Sequence, residues 1–510
     1  MNQKQRIIST SIAALLIVAL AVSCGPAPTP QVTEAPPIKQ EIVYLVAEAL
    51  DPIRDPQGHF YLTGFPVQRH FLDPLVERND KLEIVPALAE SWENPDPNTW
   101  VFHLRQGVKF HNGEEFTADS VKATLERVVK PETGQSFLWV PLTVEVQDKY
   151  TAVVKTEQPF GALLANLAIT EMLPPSAIAD MEAFGKQPIG TGCFKVVSLS
   201  TDELVLEAFD ECWRGAPKIR KLTFKYVQDP NTRVAALLSG EAQIADRIPY
   251  DLIRVAEADP EIDVQVVPST EMLYLRLRPT VAPWTDKRAR QALAYAIDRQ
   301  GIVDTILSGV AKVASAPVSL SVFGYASGLP QYEYNPEKAR ALLQEAGVPE
   351  GTPFEILVSP AAYAKVKEVA EAIAAQLQEV GLDARVRAME QGAWIQAFLG
   401  GEGQAWIAGW GVVTADSQFG MFLPFHSSAT GGTTKYANPE VDALLEAARG
   451  TADPAARLEA YQEAQAIIWD ELPQIPLYES PIAVGVNWRV QNFQVMPNFY
   501  NLVTVETELK

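Results

Sequence analysis

The chain has 510 residues and a formal net charge of −21 at pH 7. That length exceeds what one simple core accommodates, so two or three domains are expected. The charge argues against nucleic acid and anionic membrane surfaces as direct partners, since both need clustered Lys and Arg, and its plainest reading is solubility.

At the N-terminus Lys4 and Arg6 precede an apolar run over 12–22, "IAALLIVALAV". The run is too short to span a bilayer comfortably and has the length of a signal-peptide core. It ends in "LAVSCG", which resembles a bacterial lipoprotein box in which Cys24 becomes the lipidated N-terminus. Ala21 stands where such boxes usually carry Leu, and a plain secretory signal is the alternative. A signal peptide over 1–23 and a membrane link through the lipid alone are therefore expected. Residues 24–37 hold five prolines, a composition that stays extended and buries nothing, so they read as a tether. The folded body is expected outside the cytoplasm.

Short β-branched or aromatic segments predict strands over 41–49, 99–105, 151–156, 193–199, 203–209, 221–227 and 263–268. The polar stretch 103–121, "HLRQGVKFHNGEEFTADSV", has the look of an active site. Its alternation instead gives a strand with Phe102 and Leu104 on one face and Val101 and His103 on the other. A turn with His111 beside Gly113 follows, then a helix capped by Thr117 with Val121, Leu125, Val128 and Val129 inward. His59, His70 and His426 are scattered singly and do not complete a metal site. Cys193 and Cys212 flank a hairpin that turns near 200–202. An exported pair of this kind forms a disulfide or stays as two buried thiols, and a bond needs a local irregularity because Cys212 lies beyond the register partner of Cys193.

From residue 289 helical spacing dominates. Ala292, Leu293, Ala296 and Ile297 share one face. Asn335 caps a helix that Gly347 stops, 366–380 is amphipathic and closes at Gly381, and Asn438 to Gly450 repeats the pattern. Strands over 354–359 and 383–389 alternate with these helices, which suggests a second α/β lobe. The chain carries no G-x-S-x-G elbow and no H-E-x-x-H. "GGTTK" (431–435) is not a phosphate loop, and "GTGCFK" (190–195) feeds a strand instead of opening a helix. Nothing in the pattern calls for an enzyme, a metal or a cofactor.

The segments "LAESWENPDPNTWVFHLRQGVKFHNGEEFTADSV", "PIGTGCFKV", "CWRGAPKIRKLTFKYVQD", "TRVAALLSGEAQIAD", "DKRARQALAYAIDRQGIV", "YNPEKARALLQEAG" and "NPEVDALLEAARG" occur in the order found in the family 5 extracellular solute-binding proteins, and the chain resembles that family over nearly its whole mature length. Cys193 replaces a usual Pro, and Gln243 a frequent Asp. The resemblance implies an α/β fold of the type II periplasmic-binding-protein kind. It has two lobes joined by a strand hinge, with lobe I over 38–79, 186–278 and 485–510. An extra α+β subdomain would span 80–185, and lobe II 279–484. It further implies a monomeric receptor that encloses a solute and delivers it to an ABC permease driven by an ATPase. An exported enzyme or a sensing lipoprotein on this fold is the alternative of a different class.

In the family's dipeptide receptors an Asp shortly after "GW" holds the amino group and an Arg holds the carboxylate. Here Val413 and Pro360 stand at those places, so a strict dipeptide site is not expected. The aromatic residues nearby suit an oligopeptide, with an oligosaccharide stacked on Trp faces as the alternative. Trp410 and Asp416 are the first candidates for ligand contact, with Trp406 and Phe419 behind them. A nickel chelate fits less well, because His426 is the one histidine near these segments.

Overall fold

The structure, a computed structural model, describes residues 39–58, 64–429 and 434–510. The expected signal peptide, Cys24 and the tether lie outside the described residues, as do His59 and the first three residues of "GGTTK". Among the described residues three sheets organise the chain.

The first sheet has seven strands. Their spatial order is Ile262–Val267, Ile482–Asn487, Ile244–Ala245, Glu41–Val46, Lys221–Tyr226, Glu203–Ala208 and Phe194–Leu199. Glu41–Val46 is parallel to both its neighbours, and the other pairs are antiparallel. Every residue of Ile482–Asn487 is buried, as expected of a strand covered on both faces. The second sheet has six strands, in the order Lys312–Val313, Gln474–Glu479, Glu271–Leu277, Ala405–Gly411, Pro353–Val358 and Asp383–Ala388. Helices Lys287–Ala296 and Val366–Glu379 bury Leu293, Val369, Ile373 and Leu377 in the core beside its strands.

The chain passes from the first sheet to the second at 268–270 and returns at 480–481. The lobe borders expected at 278/279 and 484/485 lie slightly beyond these crossings, because Glu271–Leu277 pairs within the second sheet and Ile482–Asn487 already pairs within the first.

The third sheet is antiparallel, in the order Ala89–Asp96, Thr99–Leu104, Thr151–Thr156 and Leu142–Asp148. Thr99–Leu104 alternates as expected, with Phe102 and Leu104 buried and Val101 and His103 half-exposed. Helix Ala118–Val128 follows, with Thr117 at its N-cap and Val121, Leu125 and Val128 buried. His111 is a structural tie. Its Nδ1 accepts the Gly190 N–H at 3.3 Å and its Nε2 donates to the Gly192 carbonyl at 2.8 Å. Burial holds its pKa down at about 4, so the ring stays neutral at pH 7. The 103–121 stretch is thus a strand, a turn and a helix start.

The third sheet shares one apolar cluster with the later chain, in which Phe102 and Val154 join Val413, Phe419, Phe425 and Tyr461. Backbone contact is close there. The Gly161 N–H donates to the Arg449 carbonyl at 2.8 Å, and a Cβ at position 161 would fall 1.8 Å from the Thr451 carbonyl oxygen. No larger residue fits at that position without moving the backbone.

Cys193 and Cys212 are joined as a disulfide with a Cα–Cα distance of 5.0 Å. The hairpin register pairs Phe194 with Ala208. A turn in which the Cys212 N–H donates to the Phe209 carbonyl at 3.1 Å then folds Cys212 back onto Cys193. That turn is the local irregularity the spacing requires.

Candidate functional site: a cavity at the sheet crossings

Beside the two crossings lies a cavity of about 560 Å³, within the range of small-molecule sites. The first sheet and its loops contribute Tyr44, Phe224, Arg247 and Tyr250 to its wall, and the second sheet contributes Glu271 and Tyr478. Tyr363, from the loop after Pro353–Val358, also lines it. This tyrosine lies against Gly409, where a Cβ would fall 2.7 Å from the tyrosine Cε1. The missing side chain at 409 is what lets the ring lie there.

The crossings are tied by side chains from both sides. The Tyr250 hydroxyl donates to the Pro481 carbonyl at 3.0 Å and lies 3.0 Å from Ser480 Oγ. Ser319 Oγ donates to the Ser269 carbonyl at 2.7 Å.

The charged groups differ in how far they are already committed. Arg233 is fixed by four backbone carbonyls: Val227 at 2.7 Å, Gln228 and Arg247 at 3.0 Å, and Asp246 at 3.2 Å. Arg247 places Nη2 2.8 Å from Glu48 Oε1 and holds a left-handed backbone at φ +46°, a conformation that costs energy for a residue with a Cβ. Burial raises the Asp246 carboxyl to about 6 against the pull of Arg233 and Arg247. Burial likewise raises Glu271 to about 7, with Arg247 opposing and Glu48 adding to the rise. No hydrogen bond from a described residue reaches the Glu271 carboxylate.

The four residues singled out from the sequence lie elsewhere, and none lines this cavity. Trp406 is fully buried, in a cluster with Leu357 and Trp394 and edge-on to Phe398 at 6.0 Å. Trp410 and Phe419 pack together at 4.9 Å. The Arg276 guanidinium stands 5.6 Å from the Trp410 ring and donates to the Gly409 carbonyl at 3.2 Å. Asp416 is 3% exposed. It accepts from the Gln418 N–H at 2.9 Å, which caps helix Ser417–Phe425, and from Arg457 Nη2 at 2.7 Å. His426 stacks on Phe422 at 4.3 Å, and among the described residues no group of three His, Cys, Asp or Glu is placed to hold a metal ion. Tyr363, Tyr478 and Glu271, which do line the cavity, were missed by the sequence reading.

The pattern of the "Bacterial extracellular solute-binding proteins, family 5 Middle" matches residues 83–432. The chain belongs to the family 5 extracellular solute-binding proteins. This family 5 chain is 32% identical over 454 residues to the glutathione-binding protein GsiB of Salmonella paratyphi A, covering 85% of this chain and 88% of the relative. The same figures hold for GsiB of Escherichia coli K12. Its fold matches HbpA2 from Haemophilus parasuis with a TM-score of 0.80 at 29% identity, over 92% of this chain and 100% of that one. It also matches MoaA of A. tumefaciens R10, solved in complex with mannopinic acid, with a TM-score of 0.79 at 26% identity, over 93% and 100%. The fold is of the type II periplasmic-binding-protein kind. The family 5 chain is a substrate-binding receptor of the ABC-importer type, acts outside the cytoplasm and is not an enzyme. Among the described residues no helix is long and apolar enough to cross a membrane.

Proposed function

We propose that this receptor captures a small peptide in the cavity at the sheet crossings and carries it to a permease that an ATPase drives. The observation that carries this reading is the composition of the cavity wall. Apolar and aromatic surface is combined there with charges of both signs, Arg233, Arg247, Asp229 and Asp246 from the first sheet's side and Glu271 from the second, as a ligand with amide, amino and carboxylate groups requires. The named ligand of the GsiB relatives, glutathione, is a peptide of this size class and supports it.

On this reading the lobes are 38–79 with 186–278 and 485–510, and 279–484, with 80–185 as the added subdomain. Their relative motion is concentrated at 268–270 and 480–481. Solute that touches both lobes binds the closed arrangement more tightly and shifts the population toward it. Asp416, Phe419 and Trp406 then serve packing, and Trp410 borders the closing surface. The protein works as a monomer held at the membrane by a lipid on Cys24.

Isothermal titration of the purified protein with glutathione, with mixed tri- and tetrapeptides, and with malto-oligosaccharides tests this. A peptide should bind at one equivalent and be recovered unchanged. Saturable binding of the oligosaccharides alone would replace this reading with a carbohydrate receptor.

A further inference from the structure

Glu271 is the first residue of a strand in which every following residue is buried. A carboxylate that opens such a strand is normally paired, yet no described residue donates a hydrogen bond to it. Around it stand Tyr250, Tyr363 and Tyr478, all lining the same cavity, and each lies near enough for the Glu271 charge to act on its hydroxyl. Tyr478 is 3% exposed, and its hydroxyl makes no hydrogen bond with a described residue. Arg247, the cation whose charge acts on Glu271, is engaged by Glu48. Counting Asp229, Asp246 and Glu271 against Arg233 and Arg247, the lining carries one more acid than base.

Three features therefore coincide: an unpaired carboxylate, three tyrosines in the same cavity wall and a lining with one more acid than base. An anion gains nothing there. A sugar would satisfy hydroxyls but leave the carboxylate's charge uncompensated. A primary ammonium, by contrast, donates to a carboxylate in a charge-assisted hydrogen bond and is attracted to the faces of tyrosine rings.

We propose that Glu271, with Tyr250, Tyr363 and Tyr478, forms the subsite that takes an ammonium group of the solute. This inference deepens the peptide reading and rests on it for the identity of the group, the peptide's free amino end. Arg247 lines the same cavity and its charge acts on Glu271. Because Glu271 opens a strand of the second sheet and Tyr250 lies in the turn that follows Ile244–Ala245 of the first, an ammonium held among them bridges the two sides at their crossings. Occupancy and closure are thereby coupled.

The test uses three probes on the wild-type protein and on Glu271→Gln and Tyr478→Phe, after circular dichroism shows each variant folded. The probes are a defined tripeptide mixture, the same mixture N-acetylated, and the primary amines propylammonium and butylammonium at millimolar concentration, read by native mass spectrometry and by melting temperature. Wild type should favour the free-amine peptides over the acetylated ones by at least about tenfold. Glu271→Gln should abolish that preference, while Tyr478→Phe, which keeps the ring, should retain most of it. Equal binding of both mixtures, or a preference that survives Glu271→Gln, overturns the ammonium subsite and leaves the peptide receptor standing. If peptides fail but the amines raise the melting temperature of wild type and not of Glu271→Gln, the subsite stands and the peptide reading falls. If no probe binds, both fall.

Discussion

Replacing Asp416 with Ala separates a structural role from a binding role. Asp416 and Arg457 form an ion pair at 2.7 Å, with side-chain exposures of 4% and 8%. Removing the carboxylate leaves the Arg457 guanidinium buried with the Ala448 carbonyl and the Tyr461 hydroxyl as its remaining partners. An orphaned buried charge of this kind costs about 3–5 kcal/mol. The lost cap on helix Ser417–Phe425 adds about 1 kcal/mol. Asp416→Ala should therefore destabilise the protein by about 4–6 kcal/mol in urea titrations of the transition that reports on this region. Asp416→Ala/Arg457→Met, which removes both charges, should recover most of that loss, and peptide affinity in the folded double variant should stay within about threefold of wild type. An Asp416→Ala protein that unfolds like wild type but no longer binds solute would refute this reasoning and make Asp416 a ligand contact after all.

Further outcomes follow from other parts of the structure. The disulfide joins residues 19 apart in sequence, and closing a loop of that length stabilises by about 3 kcal/mol; Cys193→Ser/Cys212→Ser should lower stability by that order, and an unchanged urea midpoint would mean the bond does not form. Glu271 is raised to about 7 by burial, with Arg247 lowering it, Glu48 raising it and Tyr250, Tyr363 and Tyr478 facing it. The subsite needs Glu271 as carboxylate and the peptide's amino end as ammonium, whose pKa is about 8, so free-amine peptide affinity should peak between about pH 7 and 8. It should fall on the acid side as Glu271 protonates, approaching tenfold per unit, and on the alkaline side as the amine deprotonates, and Glu271→Gln should remove the acid limb. Cys24→Ser should move the protein from the membrane fraction to the soluble extracytoplasmic fraction, and continued membrane retention would count against the lipid anchor.

Much of the fold was legible because local signals agreed with tertiary structure. Asn335 and Asn438 do cap helices, accepting from the Lys338 and Glu440 N–H groups at 2.9 Å. Gly347 and Gly381 follow helices at φ +69° and +96°. The alternation over 99–104 also separates the two faces as the structure has them, with Phe102 and Leu104 on the buried one. The points at which the chain changes sheet were less legible. Glu271–Leu277 and Ile482–Asn487 are buried along almost their whole length, so no polar face marks which sheet they join.

The cavity residues were hidden for a similar reason. Tyr478 lies in a wholly buried strand and Tyr363 in an unpatterned loop, and periodicity assigns neither to a pocket. The one available signal was Glu271, a carboxylate opening an apolar strand. The tryptophan-rich segment 394–425 carries the stronger sequence signal, yet the structure uses its aromatics largely for packing, with Trp406 against Phe398 and Trp410 against Phe419.

The most direct test of the receptor reading is native mass spectrometry of the protein purified without refolding, followed by denaturation and analysis of what is released. One equivalent of an unmodified peptide mass, displaced by added peptide, is the result expected. A hexose-spaced ladder, or a bound solute released in chemically altered form, would contradict it.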